Sequence, residues 1–148
     1  RSQPHSEAVT NTMLMPKGGD STLVSEIATQ TLTNKTFGDY KETVFVLSTD
    51  SAGAINVDPT DGPIQEITLN ENVTFTGFQN AADGQSVTLI LKQDGTGSRT
   101  FTESLDSAGR MLFAGGTSTL STDANAIDVM SIVYAGGIYY ASLSTNFS

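Results

Sequence analysis

The regular spacing of turns from residue 42 onward constrains this chain most. Short segments rich in Asp, Ser, Gly and Pro alternate there with short runs of apolar and β-branched residues. Asp and Asn side chains initiate turns, and Gly supplies the positive φ angles that many turns need. Short strands separated by turns about every 8–12 residues are typical of a sandwich or a barrel. The sequence therefore predicts an all-β domain over residues 42–148, with a β-sandwich or jelly-roll-like fold.

The apolar runs predict the individual strands and two of their pairings. The predicted strands are Thr43–Ser48, Ala54–Val57, Ile64–Asn70, Val73–Phe78, Ser86–Gln93, Arg99–Glu103, Met111–Ala114, Ala126–Tyr134 and Ile138–Thr145. Gly136-Gly137 suits a two-residue primed turn, so the last two strands should form a hairpin. A second hairpin is predicted around Asp94–Gly97, which would join the fifth and sixth strands.

The N-terminal residues have a different composition. Residues 1–20 are polar and contain Pro4, Pro16 and Gly18-Gly19, which predicts an extended arm. Residues 21–41 are interpreted as a linker with a short helix or strand, because a partial helical stripe competes there with a run of threonines. The first 20 residues hold no apolar signal-peptide core and begin with Arg, so we expect a processed start or a piece of a longer protein.

The predicted strand Ala126–Tyr134 is apolar on both faces. Alternation places Ile127, Val129 and Val133 on one side and Met130, Ile132 and Tyr134 on the other. A strand of this kind is either central in its domain or turns one face toward another subunit. For a small sandwich we favour contact with another subunit.

The charge balance excludes several classes of partner. The 148 residues carry 7 Lys and Arg against 16 Asp and Glu, a net charge of −9. Nucleic acids and anionic membrane surfaces both require basic patches, so neither is predicted as a partner. No apolar run approaches the ~20 residues of a membrane-spanning helix. The absence of cysteine excludes disulfides, thiol nucleophiles and thiolate metal centres.

Candidate catalytic and metal-binding residues are weak, and we predict no enzyme, no metal site and no cofactor. His5, the single histidine, lies in the predicted arm, whereas a general base must be held in place. The candidate acids for glycoside cleavage are Glu66, Glu71, Glu103 and Asp106. The candidate ligands for calcium are Asp58, Asp61 and Asp94. Solvated surface acids and turn formation are the favoured interpretations.

Three tyrosines in the last predicted hairpin are the candidate binding residues. They are Tyr134, Tyr139 and Tyr140. Tyrosine stacks on sugars and anchors interfaces. Adjacent residues of a strand point to opposite faces, so one of Tyr139 and Tyr140 should be in the core and the other available for binding or for an interface.

Several sequence blocks resemble tail-fibre-like proteins of tailed bacteriophages, of the marine or cyanophage type. Residues 28–36 (ATQTLTNKT) resemble a spacer common in those proteins. The second half of the chain resembles a β-domain of phage structural proteins. The blocks that carry this resemblance are, in order, DGQSVTLILKQDGTGSR (83–99), AGGT (114–117), ANAIDV (124–129), VYAGGIYY (133–140) and NF (146–147).

The resemblance implies a non-enzymatic virion structural protein that forms a homotrimer. Such a protein would be a fibre, an appendage knob or a capsid-surface decoration, assembled in the cytoplasm of the bacterial host. The arm over residues 1–20 would contact other virion proteins. The alternative hypothesis is a receptor-binding module that recognises host surface glycans.

Overall fold

The computed structural model of the chain describes Asn34, Thr36, residues 38–105 and residues 109–147. The chain divides at Gly38, and all described strands lie in the unit Asp39–Ser148. The predicted arm lies outside the described residues. So does most of residues 21–41, predicted as a linker or a short helix or strand, of which Asn34, Thr36 and residues 38–41 are described and form no helix or strand.

The described residues are organised as strands, which confirms the all-β class. The strands are β1 (Val44–Val46), β2 (Ala54–Val57), β3 (Ile64–Leu69), β4 (Val73–Phe78), β5 (Ser86–Gln93), β6 (Phe101–Glu103), β7 (Arg110–Phe113), β8 (Ile127–Ala135) and β9 (Ile138–Phe147). A single 3₁₀ turn, Ala114–Gly116, follows β7. In this part of the chain no helix is long and apolar enough to cross a lipid bilayer.

The described strands form two sheets, and the chain alternates between them from β1 to β7 before β8 and β9 complete the larger sheet. The six-stranded sheet has the order β1-β3-β5-β8-β9-β7, and the three-stranded sheet has the order β2-β4-β6. Within each sheet the first strands pair in parallel, with Val44 opposite Ile64 in one and Ala54 opposite Thr74 in the other. One pass of the chain through both sheets is here called a circuit. Each circuit therefore stacks on the previous circuit in a β-solenoid-like arrangement.

This stacking is not clearly the sandwich or jelly-roll that the sequence analysis predicts. Those folds are built from antiparallel neighbours, whereas β1, β3 and β5 run parallel, as do β2, β4 and β6. The physical reason for the difference is the side-chain period. Inward and outward residues alternate in the same way in parallel and antiparallel strands, so the pattern that locates a strand does not give its direction.

The predicted hairpin around Asp94–Gly97 is wrong. Strand β5 lies between β3 and β8, whereas β6 lies beside β4 in the other sheet. The turn is a corner that carries the chain from one sheet to the other. The side chain of Gln93 fixes this corner, because its Oε1 accepts from Arg99 N at 2.9 Å and its Nε2 donates to Arg99 O at 2.9 Å.

The hairpin of the last two strands is confirmed. Strands β8 and β9 pair antiparallel, with Tyr134 opposite Tyr139 and Ala135 opposite Ile138. Gly136 and Gly137 have φ angles of 59° and 79°. Both central residues of a type I′ turn need positive φ, which explains why a Gly-Gly pair occupies this position.

The core lies between the inward faces of the two sheets. The alternation predicted for the fourth and fifth strands is observed, with Val73, Phe75, Val87, Leu89 and Leu91 buried. Phe75 is the largest fully buried side chain and packs edge-on against Tyr139, with ring centroids 5.3 Å apart. Edge-to-face aromatic pairs of this kind stabilise a core beyond the burial of their area.

A buried carboxylate on β8 connects the loop before β8 to the end of β9. Asp128 of β8 is 1% exposed. Its Oδ1 accepts from Ser121 Oγ at 2.7 Å and from Asn146 N at 2.9 Å, and its Oδ2 accepts from Ser121 N at 2.7 Å. Because the charge receives three hydrogen bonds, its burial is tolerated.

Candidate functional site

The three candidate tyrosines occupy different environments. Tyr139 is 6% exposed and lies in the core, whereas Tyr140 is 47% exposed on the opposite face of β9. Tyr134 faces inward from β8 and is half-buried. The structure therefore brings Tyr134 and Tyr139 together, with ring centroids 4.7 Å apart, and separates Tyr140 from them.

Tyr134 and Tyr139 line a cleft of about 290 Å³. Phe78 completes its aromatic wall, with its ring nearly perpendicular to that of Tyr139 at a centroid distance of 5.2 Å. The remaining lining residues are Thr76, Ala81, Leu105, Gly109 and Gly137. Among the described residues that line the cleft, none is an acid, a base or a histidine. The aromatic wall is suited to the flat face of a ring.

A buried hydrogen bond holds the aromatic wall in place. The backbone N of Phe78 donates to the Tyr139 hydroxyl at 3.0 Å. The Tyr139→Phe variant leaves this buried N–H without that acceptor, and we expect the free energy of unfolding to fall by about 1–2 kcal/mol. Urea denaturation measures the change. The matched control, Tyr140→Phe, removes an exposed hydroxyl and should change the free energy of unfolding by less than about 0.5 kcal/mol; equal effects would contradict the assignment.

A second groove, of about 280 Å³, runs beside β6 and is lined mainly by hydroxylated side chains. These are Ser98, Thr100, Thr102, Ser118, Thr119 and Thr122. None of them was predicted as a site residue. The sequence does show the two Ser/Thr-rich segments, 98–102 and 118–122, but not that they lie side by side.

The acids considered for catalysis are engaged separately. Glu66 forms an ion pair with Lys92 at 2.7 Å, and Glu71 accepts from Thr49 Oγ1 at 2.6 Å. Glu103 is exposed at the end of β6. Asp106 and His5 lie outside the described residues.

Two of the three candidate calcium aspartates, Asp58 and Asp94, accept hydrogen bonds within turns, whereas the backbone N of Asp61 donates to Asp58 O at 3.1 Å. Asp58 Oδ1 accepts from the backbone and the hydroxyl of Thr60, and these hydrogen bonds lower its pKa. Asp94 Oδ1 accepts from Thr96 N and Gly97 N at 2.9 and 2.8 Å. Across residues 38–105 and 109–147, no group of three or more His, Cys, Asp and Glu side chains is placed to hold a metal ion.

The Asp94–Arg99 pair makes the corner between β5 and β6 sensitive to acid. The Arg99 guanidinium donates to Asp94 Oδ2 at 2.6 Å, and this hydrogen bond is the main cause that holds the pKa of Asp94 below 3.8. A lowered folded-state pKa stabilises the fold at pH values above the unfolded pKa, and this contribution is lost as the pH falls through the folded pKa.

We expect NMR titration of the Asp94 carboxyl to give a pKa below 3.8 in the native chain. The Arg99→Gln variant should move that pKa upward, because the cationic donor is lost. The control is Lys92→Gln, which removes the cation paired with Glu66 and should leave the Asp94 titration unchanged. An Asp94 pKa that does not respond to Arg99→Gln would contradict this account.

Comparison with known proteins identifies a family. A family model described as "Putative phage tail fibre C-terminal domain" matches residues 55–139, more than half of the chain. The matched stretch runs from β2 into β9 and includes the aromatic cleft. No curated protein and no solved structure matches the chain.

Proposed function

Since the chain belongs to the family of phage tail fibre C-terminal domains, a class of bacteriophage structural protein, we propose that it is a non-enzymatic virion component that assembles as a homotrimer. It would serve as a fibre, an appendage knob or a capsid-surface decoration. Residues 1–20 would contact other virion proteins, and assembly would take place in the host cytoplasm. The family match is the observation that carries this proposal.

The described surface supports assembly from several copies. Large apolar side chains remain exposed on β1 and on the outward side of β8 and β9, among them Val46 at 67% and Val133 at 45%. Exposed apolar patches on a folded domain mark surfaces that bind a partner. A closed symmetric assembly repeats each weak external contact, so that several contacts to a host cell act together.

The place of the protein on the particle is tested by immunogold electron microscopy of purified virions. We expect gold particles on the tail fibres, on another appendage or on the capsid surface. Mass spectrometry of the same virions should detect the chain. Its absence from purified particles, although it is present in lysates of infected cells, would contradict a virion role.

The homotrimer is tested by light scattering during gel filtration of the full chain. We expect a mass of about three times 15.5 kDa. A monomer at micromolar concentration would contradict the trimer while leaving the virion role open.

Recognition of host surface glycans is the second candidate function, and the aromatic cleft supports it. Tyrosine rings stack on the apolar faces of sugars, and the half-buried Tyr134 lines the cleft. A glycan array probed with the native chain tests this function. Binding should be lost in Tyr134→Ala and kept in Tyr40→Ala, which removes an exposed tyrosine that does not line the cleft.

A further inference from the structure

The outward side of the six-stranded sheet, here called the outer sheet face, differs in charge from the rest of the chain. The charged residues among its described side chains are Glu66, Lys92 and Arg110. Glu66 and Lys92 neutralise each other at 2.7 Å. A chain with a net charge of −9 therefore has one broad face with no unpaired acid.

Most other side chains of this face are apolar or small. The strand registers place Val46, Glu66, Ile90 and Val129 in one row across the sheet, and Ser86, Val133, Tyr140 and Leu112 in another. Ser131 and Ser142 lie between these rows. Val133 and Tyr140 are exposed in the described unit. This mixture of apolar and small hydroxylated side chains can be desolvated at little cost.

The face is large enough for a stable contact. Six strands at a spacing of ~4.8 Å span about 24 Å, and the eight residues of β5 extend about 26 Å. The flat area is thus roughly 600 Å², and protruding side chains increase the accessible area. A standard protein interface buries about 800 Å² on each partner.

We propose that the outer sheet face is the surface on which a second copy of this chain packs. The proposal deepens the proposed function and rests on it, since it names the contact of the assembly. Two copies that each carry a charge of −9 repel each other wherever their acids face. The outer sheet face lets them approach without opposing unpaired acids, and the contact buries its apolar rows.

The absence of cysteine makes the face directly testable. Ser131 is exposed on β8, near the middle of the outer sheet face, so Ser131→Cys introduces a single thiol there. The control is Asn56→Cys, which places a thiol on an exposed position of β2 in the other sheet. The full chain of each variant is treated with a maleimide reagent over a range of protein concentrations, and light scattering gives the mass of the same samples.

We expect the thiol of Ser131→Cys to react at least tenfold more slowly at concentrations where the chain is oligomeric, and to regain full reactivity on dilution to the monomer. Asn56→Cys should react rapidly at all concentrations. A reactive thiol in an oligomeric Ser131→Cys sample would overturn the proposal, because the copies then meet elsewhere. Protection that does not depend on concentration would also overturn it, since the face is then covered within one copy. A persistent monomer with a reactive thiol would overturn it too.

A charge variant provides a second, independent measurement. Val133→Glu puts an unpaired acid on the outer sheet face of every copy, and we expect at least a tenfold weaker association by light scattering. Asn56→Glu adds the same charge outside the face and should leave the association unchanged. Circular dichroism shows whether each variant is folded. Equal weakening by both substitutions would indicate a general effect of charge and would count against the proposal. Failure of these tests leaves detection of the chain in purified virions unaffected, so the two proposals fail separately.

Discussion

Replacing Gly97 with alanine should lower the free energy of unfolding by about 3 kcal/mol or more, one of the two largest effects expected in this chain. Gly97 has a φ angle of 75°, which side chains other than glycine rarely adopt. An added Cβ would also meet backbone atoms of the neighbouring loop, the carbonyl oxygen of Thr122 and, at 2.9 Å, the nitrogen of Ala124. Backbone cannot rotate away as a flexible side chain can, so the corner between β5 and β6 must shift.

Substitutions at two other glycines distinguish the backbone strain from the steric contact of the added Cβ. Gly115 has a φ angle of 70° with nothing within 4 Å of an added Cβ, so Gly115→Ala should cost only the strain, about 1 kcal/mol. Gly95 has neither the positive φ nor a neighbour, so Gly95→Ala should be nearly neutral. Urea denaturation of the three variants should give the order Gly97→Ala, Gly115→Ala, Gly95→Ala in lost stability. Equal losses for the first two would show that the contact with Thr122 and Ala124 does not matter.

The second large effect is expected for Asp128→Ala, which should destabilise the fold by about 3–4 kcal/mol. The substitution removes the acceptor of three hydrogen bonds, two from Ser121 and one from Asn146 N. The donors remain in a buried site, where an unsatisfied donor costs about 1–3 kcal/mol. The loop before β8 and the end of β9 should therefore loosen together.

The matched control for Asp128→Ala is Asp123→Ala in the same loop, where the side chain is exposed. A surface substitution of this kind should change the free energy of unfolding by less than about 0.5 kcal/mol. Chemical denaturation gives the two free energies, and amide hydrogen exchange at Ser121 and Asn146 reports the local loosening. A stable Asp128→Ala variant with protected amides at both positions would contradict the role given to this carboxylate.

The positions of the strands could be predicted from the sequence, whereas the direction of their pairing could not. Strand β5 shows why, because the alternation of Val87, Leu89 and Leu91 with Thr88 and Lys92 marks a strand that is buried on one side. That pattern is the same whether the neighbour is parallel or antiparallel. The β8–β9 hairpin was predictable because Gly136-Gly137 specifies a short turn locally. The corner at Asp94 was not, because Gln93 and Arg99 fix it through contacts that turn composition does not reveal.

For the candidate site, the sequence could predict which face of a strand each tyrosine occupies, but not which residues of other strands lie beside it. Alternation separates Tyr139 from Tyr140, and the structure places them on opposite faces. The cleft also needs Phe78 from β4, which the stacking of the two sheets brings against Tyr139. The hydroxylated groove needs residues 98–102 and 118–122 side by side. Both depend on which strands neighbour one another, and that is the information that the sequence pattern lacks.

The stacked circuits also determine how such a chain can change in length. Val44 lies opposite Ile64, a separation of 20 residues, and Ile64 lies opposite Thr88, a separation of 24 residues, so successive circuits differ in length while each contacts its neighbours. Inserting a whole circuit would preserve every inward and outward position and add one strand to each sheet. Inserting half a circuit would carry strands of one sheet into the other and bury their polar residues. The fold thus permits growth by whole circuits, and the differences in circuit length are accommodated in the turns between the strands.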